Sequence, residues 1–219
     1  MYTEAKTDIQ LQEDVLNELK WDASLTAGEI SVTTNNGVIT LRGSVPHFSQ
    51  KMKAEKAARR VLGVRAVADE LEVDLSDSAH KSDTEIAIAA LNALNWNYSV
   101  PDGIQVTVDH GWLQLSGDVD WNFERTAAYK AVSVLMGVEG VTNRITLRAR
   151  VKTENVKARI DEALARFSKK MTDQIHVSCE DGRVTLTGVV GTPSEMNRAE
   201  NAAWNAPGVV SVENKIAIS

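Results

Sequence analysis

Three pairs of glycines constrain how this chain can fold. Gly43 and Gly63, Gly117 and Gly137, and Gly188 and Gly208 are each twenty positions apart, and the second glycine of each pair precedes a valine: Val64, Val138 or Val209. Ile30, Ile104 and Ile175 each lie seven positions before a further glycine, Gly37, Gly111 or Gly182, which opens the strand carrying the first member of the pair. Spacing held three times requires a repeated folding unit of about 72 residues. The predicted limits are 1–76, 77–150 and 151–219, with the polar runs DLSDSAHKSD (Asp74–Asp83) and RVKTEN (Arg150–Asn155) as linkers.

Within each unit the signals run helix, strand, strand, helix, strand. The first helices are LQEDVLNELKW, DTEIAIAALNALNW and NVKARIDEALARF, with apolar residues recurring every three or four positions and an aromatic, Trp21, Trp96 or Phe167, at the end. ISVTT, IQVTV and IHVSC alternate apolar with polar residues and pass through NNG, DHG and EDG into the glycine-containing strands, so each pair is predicted to be a hairpin. The second helices are expected near Gln50–Leu62, Glu124–Met136 and Glu195–Asn205, and the last strands are VADELEV, VTNRITL and VENKIAI. Gly43, Gly117 and Gly188 fall at inward parity opposite alanines of the second helix (Ala57, Ala131 and Ala202 among them), so the sequence predicts glycines that let this helix lie close on the sheet. A phosphate-binding glycine loop would need clustered glycines between a strand and a helix, and these are single glycines inside strands.

GVITLRG with GVRAVADELEV, GWLQLSG with GVEGVTNRITL, and GRVTLTG with GVVSVENKIAI together resemble the BON family, named after bacterial osmotically inducible and nodulation proteins. The resemblance covers nearly the whole chain as three tandem copies. It implies an α+β fold, three αββαβ domains each with two helices on one face of a three-stranded mixed sheet. It also implies non-enzymatic roles: association with phospholipid membranes, envelope maintenance, and protection under osmotic stress, in some members as a chaperone-like protein.

A formal charge of −6 argues against a general nucleic-acid binder, whose affinity rests on Lys and Arg neutralising phosphates. No apolar run approaches the length of a membrane span, and MYTEAKTDIQ lacks the pattern of a secretion signal, so the chain as written is expected in the cytoplasm, or in the periplasm if it is a processed form. The single cysteine, Cys179, permits no internal disulfide and is expected to be a buried thiol. His47, His80, His110 and His176 occupy non-equivalent places in the repeats without ligand spacing, so no catalytic residue, metal or other cofactor is predicted.

Asp69, Asn143 and Asn214 recur at inward parity in the last strands, and their expected role is to bond loop backbone near the strand start. Residues possessed by one copy only are the candidates for function. Lys53, Lys56, Arg59 and Arg60 fan over the outer side of the second helix of repeat one and are read as a lipid- or anion-binding face. Trp121 and Phe123, in the loop DVDWNFER of repeat two, are read as a partner-binding pair or as packing against a neighbouring repeat, and Trp112 invites the latter explanation. The expected partners are an anionic phospholipid surface, envelope proteins or client proteins.

Overall fold

The computed structural model describes residues 6–76, 79–148, 156–167 and 173–218. The predicted linker Arg150–Asn155 lies outside the described residues, as do Asp77 and Ser78 of the longer one. Repeat one comprises α1 (Asp8–Trp21), β1 (Ile30–Asn35), β2 (Val38–Val45), α2 (Phe48–Arg60) and β3 (Ala66–Val73). Repeat two comprises α3 (Asp83–Trp96), β4 (Gln105–Asp109), β5 (Trp112–Val119), α4 (Asn122–Val132) and β6 (Gly140–Leu147). Repeat three comprises α5 (Val156–Phe167), β7 (Ile175–Glu180), β8 (Arg183–Val190), α6 (Pro193–Trp204) and β9 (Ser211–Ile218). The second helices start about one half-turn earlier than the sequence predicts; in repeat three Thr192 caps the start and Pro193 follows it.

Two compact units partition the chain: Met1–Leu94 with Val106–Gln114 and Lys130–Thr142, and Asn95–Gln105 with Leu115–Tyr129 and Asn143–Ser219. The division passes through repeat two. Its strands nevertheless form one sheet in the order β4-β5-β6, matching β1-β2-β3 and β7-β8-β9.

Local chemistry explains each element. Thr7 and Gln10 form a reciprocal capping box at α1, satisfying amides that a helix start leaves orphaned. The hairpin turns place Asn36, His110 and Asp181 at φ 50°, 49° and 46°, each before a glycine at φ 77°, 76° or 77°; a type I′ turn requires positive φ at both central residues. The Asp8 carboxylate accepts from the turn amides of Asn36 (2.8 Å) and Gly37 (3.0 Å), and Asp83 does the same for His110 and Gly111 (both 2.9 Å). These bonds from the turn lower the Asp83 pKa below the usual carboxylate range, the Gly111 amide contributing most.

In repeats one and three the first two strands pair antiparallel, and the last runs parallel beside the second. Leu11, Val15 and Leu19 of α1 and Ala54, Ala57 and Ala58 of α2 share a core with Val32, Ile39 and Leu41 of the sheet. Val156, Ile160, Leu164, Ala199, Ala202 and Ala203 repeat this arrangement over Leu186 in repeat three. Cys179 is half-buried against that second core.

The role predicted for the strand glycines needs correction. Gly43 is exposed, and Gly117 and Gly188 are half-exposed, so none lies beneath its second helix. Their φ angles are 125°, 129° and 139°, a region that side-chain-bearing residues rarely adopt. A Cβ on Gly43 would collide with the carbonyl oxygen of Glu29, and one on Gly188 with that of Gln174, while on Gly117 it would lie 2.9 Å from that of Gly103. Gly43 and Gly188 pair with Ile30 and Ile175, so the glycine lets the incoming backbone cross over the hairpin where its first strand begins. The inward parity continues on both sides of the glycine, since Ile39, Leu41 and Val45 are all buried, so alternation along the strand does not register the unusual backbone angle.

Asp69, Asn143 and Asn214 bond their own strand rather than a loop. Their Oδ1 atoms each accept, at 3.1 Å, from the amide two residues on: Leu71, Ile145 and Ile216. β3, β6 and β9 are edge strands, where amides lack a strand partner on one side, and these side chains supply one. Each also reaches the second helix of its repeat. Lys51 lies 3.7 Å from Asp69, Asn143 donates to the Arg125 carbonyl (3.2 Å), and Asn214 donates to Glu200 (3.0 Å).

Candidate binding surface

Burial of Ala54, Ala57 and Ala58 turns Lys53, Lys56, Arg59 and Arg60 outward, and all four are exposed. The face is less positive than its sequence, because Arg59 pairs with Glu55 at 2.7 Å and Arg60 with Glu18 of α1 at 2.9 Å. Lys53 donates to the Ser24 hydroxyl at 3.0 Å. Among the described residues Lys56 has no ion-pair partner. Asp22 adds a further negative charge close by; the Ser24 hydroxyl and amide donate to its carboxylate at 2.6 and 3.1 Å and hold its pKa below the ordinary range.

Two of these contacts converge on the end of α1. Glu18 is one turn before Trp21 and Ser24 is three residues after it, so Lys53 and Arg60 bond residues on either side of Trp21 in sequence, and its indole is 88% exposed. Sequence reasoning recorded Trp21 as a helix-end aromatic and missed its exposure. The available signal was the stripe Leu11, Val15, Leu19, whose four-residue step does not reach position 21.

Trp121 and Phe123 are 40% and 55% exposed, at the entry to α4. Their loop is ordered from within: Glu124 accepts from the amides of Asp120 (2.9 Å) and Trp121 (3.0 Å), and Arg125 donates to the Asn122 side chain at 2.6 Å. Trp112 has an explanation inside its own sheet. Its indole N–H donates to Thr142 at 2.9 Å and its ring covers Gly140, where a Cβ would meet ring carbons. Arg125 lies over the ring of Trp204, 4.8 Å from the centroid, and burial lowers its pKa. The basic face belongs to α2, and the aromatic pair to the start of α4.

Among the described residues, no three His, Cys, Asp or Glu side chains are grouped so as to hold a metal ion. No helix among them is long and apolar enough to cross a membrane.

Three tandem mixed sheets, each with the same glycine-bearing hairpin, coincide with a family match: the BON domain matches residues 7–74, 82–149 and 152–219. The chain belongs to the BON family. It is 31% identical over 125 residues to osmotically-inducible protein Y of Escherichia coli (strain K12), a match spanning 55% of this BON chain and 62% of that protein. The chain thus matches less than two thirds of that relative's length. Among solved structures, CdsD of the Chlamydia trachomatis type III secretion system is 17% identical with 94% of this chain and 91% of that chain covered, at a TM-score of 0.26. The PrgH periplasmic domain is 12% identical, with 87% and 95% covered, at a TM-score of 0.24. At these scores neither structure bears on how this BON protein works.

Proposed function

We propose that this BON protein is a non-catalytic binding protein of the bacterial stress response, which contacts anionic phospholipid through Trp21 and the cations of α2. The observation that carries the reading is the exposed indole of Trp21 on the chain segment to which Lys53 and Arg60 bond, at Ser24 and Glu18, since tryptophan with cations suits a headgroup layer that is apolar below and anionic above. The likeness to osmotically-inducible protein Y supports the stress setting.

Magnitudes decide how the work is divided. A cation near an anionic leaflet contributes about 1 kcal/mol, but Glu55, Glu18 and Asp22 offset three of the four charges. Electrostatics alone is then too weak for stable attachment, and the indole must add to it. Binding is accordingly reversible and salt-dependent. Co-sedimentation with vesicles of phosphatidylcholine alone or mixed with phosphatidylglycerol tests this: only the anionic vesicles should carry the protein down, and Trp21→Ala or Lys56→Glu should each reduce the bound fraction. Equal binding to both vesicles, or unchanged binding by both variants, contradicts the reading.

A second reading, a scaffold for client or envelope proteins without lipid contact, is favoured by one observation. Trp121 and Phe123 are exposed on a loop whose backbone is already fixed by Glu124, so little order remains to be lost on binding a protein. Absent vesicle binding together with capture of an unfolded outer-membrane protein, lost in Trp121→Ala/Phe123→Ala, would select it.

A further inference from the structure

The helix pair of repeat three forms a groove of about 660 Å³ between α5 and α6, lined by Arg159, Arg166, Arg198, Glu162, Phe167 and Pro207 among others. Its volume lies within the range of small-molecule sites. Arg166 has one carboxylate nearby, Glu162 at 3.5 Å. Among the described residues, Arg159 and Arg198 have no ion-pair partner.

Comparison with repeat one shows that this charge pattern is not required by the fold. The buried stripes Leu11, Val15, Leu19 and Val156, Ile160, Leu164 superpose by sequence, as do Ala54, Ala57, Ala58 and Ala199, Ala202, Ala203, and the same offset maps every groove position. Lys53 then corresponds to Arg198, Asp14 to Arg159, Glu18 to Ala163, and Trp21 to Arg166. In repeat one Glu18 of α1 closes the interval to α2 with an ion pair to Arg60 at 2.9 Å, while Asp14 pairs with Lys6 at 2.6 Å. In repeat three the acidic positions have become arginine and alanine, so guanidinium groups come from both helices. Like charges lining one groove favour an anion bound among them.

We propose that this groove binds a phosphate ester. Guanidinium is planar and forks two donors onto a phosphate, and three such groups along one groove fit an anion of more than one negative charge. Phe167 and Pro207 add apolar surface to the lining for the organic part of the ester. The same chemistry could arrive as a soluble organic phosphate or as a phospholipid headgroup. The groove is built from α5 and α6 and uses no residue of the α2 face of repeat one.

The test is backbone and arginine side-chain NMR of the full chain in low salt, titrated with inorganic pyrophosphate and, separately, with phosphatidylglycerol bicelles. Saturable shifts confined to groove residues with pyrophosphate support a soluble phosphate; the same shifts with bicelles alone support a headgroup. Arg159→Gln/Arg198→Gln should weaken the responding titration at least tenfold. Glu162→Gln, which frees Arg166, should tighten it several-fold. Far-UV circular dichroism of both variants should match the parent, since the three side chains are exposed. Groove signals unmoved by either probe, or moved equally in the double variant, would overturn the proposal.

Discussion

Replacing Gly43 with alanine tests the reassigned role of the strand glycines. Its φ of 125° is strained for any residue with a Cβ, costing about 1 to 3 kcal/mol. The added methyl also meets the Glu29 carbonyl oxygen well under the 3.0 Å that real Cβ contacts respect, and that oxygen belongs to backbone, so the chain entering β1 must move. Forced shifts of this kind cost about 1 to 3 kcal/mol more. A loss of about 2 to 5 kcal/mol is expected, to be read as faster amide exchange across β1 and β2, at Val32 and Leu41 in particular. Gly117→Ala should lose less, because its methyl would lie 2.9 Å from the nearest carbonyl oxygen and demand a smaller backbone shift, though the same φ strain remains. Gly28→Ala, with no atom within 4 Å of the new methyl, should be neutral or mildly stabilising. If the glycine instead made room for α2, Gly43→Ala would be rescued by Ala57→Gly. Such rescue, or a Gly43→Ala variant exchanging like the parent, would refute the backbone-crossing explanation.

Arg125→Ala removes the cation stacked on Trp204 and should destabilise by about 1 kcal/mol, with the Trp204 indole resonance moving in the NMR spectrum. Gly140→Val should expel the Trp112 ring and break its bond to Thr142, visible as a shifted Trp112 indole N–H signal. Asp83, whose folded pKa is depressed, contributes stability present above its unfolded pKa and lost as pH falls through the folded value. Acid titration of Asp83→Asn should therefore show less stability lost below the usual carboxylate range than the parent loses; identical acid profiles would contradict the Asp83 bonds to the turn.

Element order, hairpin turns and strand patterning were legible in the sequence because the three copies supply internal comparison. Asn36-Gly37 or Asp181-Gly182 between alternating apolar runs fixes a turn type by backbone sterics alone. The reason for Gly43 was not legible, since it depends on where the backbone at Glu29 runs, and no pattern in either segment records that approach. The basic residues of α2 were visible, but their partial neutralisation was not. Glu55 is a local i,i+4 partner within reach of inspection, whereas Glu18 meets Arg60 only because α1 and α2 pack side by side. The arginine groove escaped for the same reason: Arg159 and Arg198 are 39 positions apart and share a surface only through that packing.

The central claim is that Trp21 meets an anionic lipid surface, and the indole N–H resonance of Trp21, assigned with Trp21→Phe, reports it most directly. With phosphatidylglycerol bicelles at 0.1 M salt, where the Debye length is about 10 Å, this signal should shift and broaden. At 1 M salt, where the length falls to about 3 Å, it should return most of the way to its free position, and phosphatidylcholine bicelles should leave it in place. A Trp21 signal indifferent to anionic bicelles, or one that responds equally to neutral ones, would contradict the account.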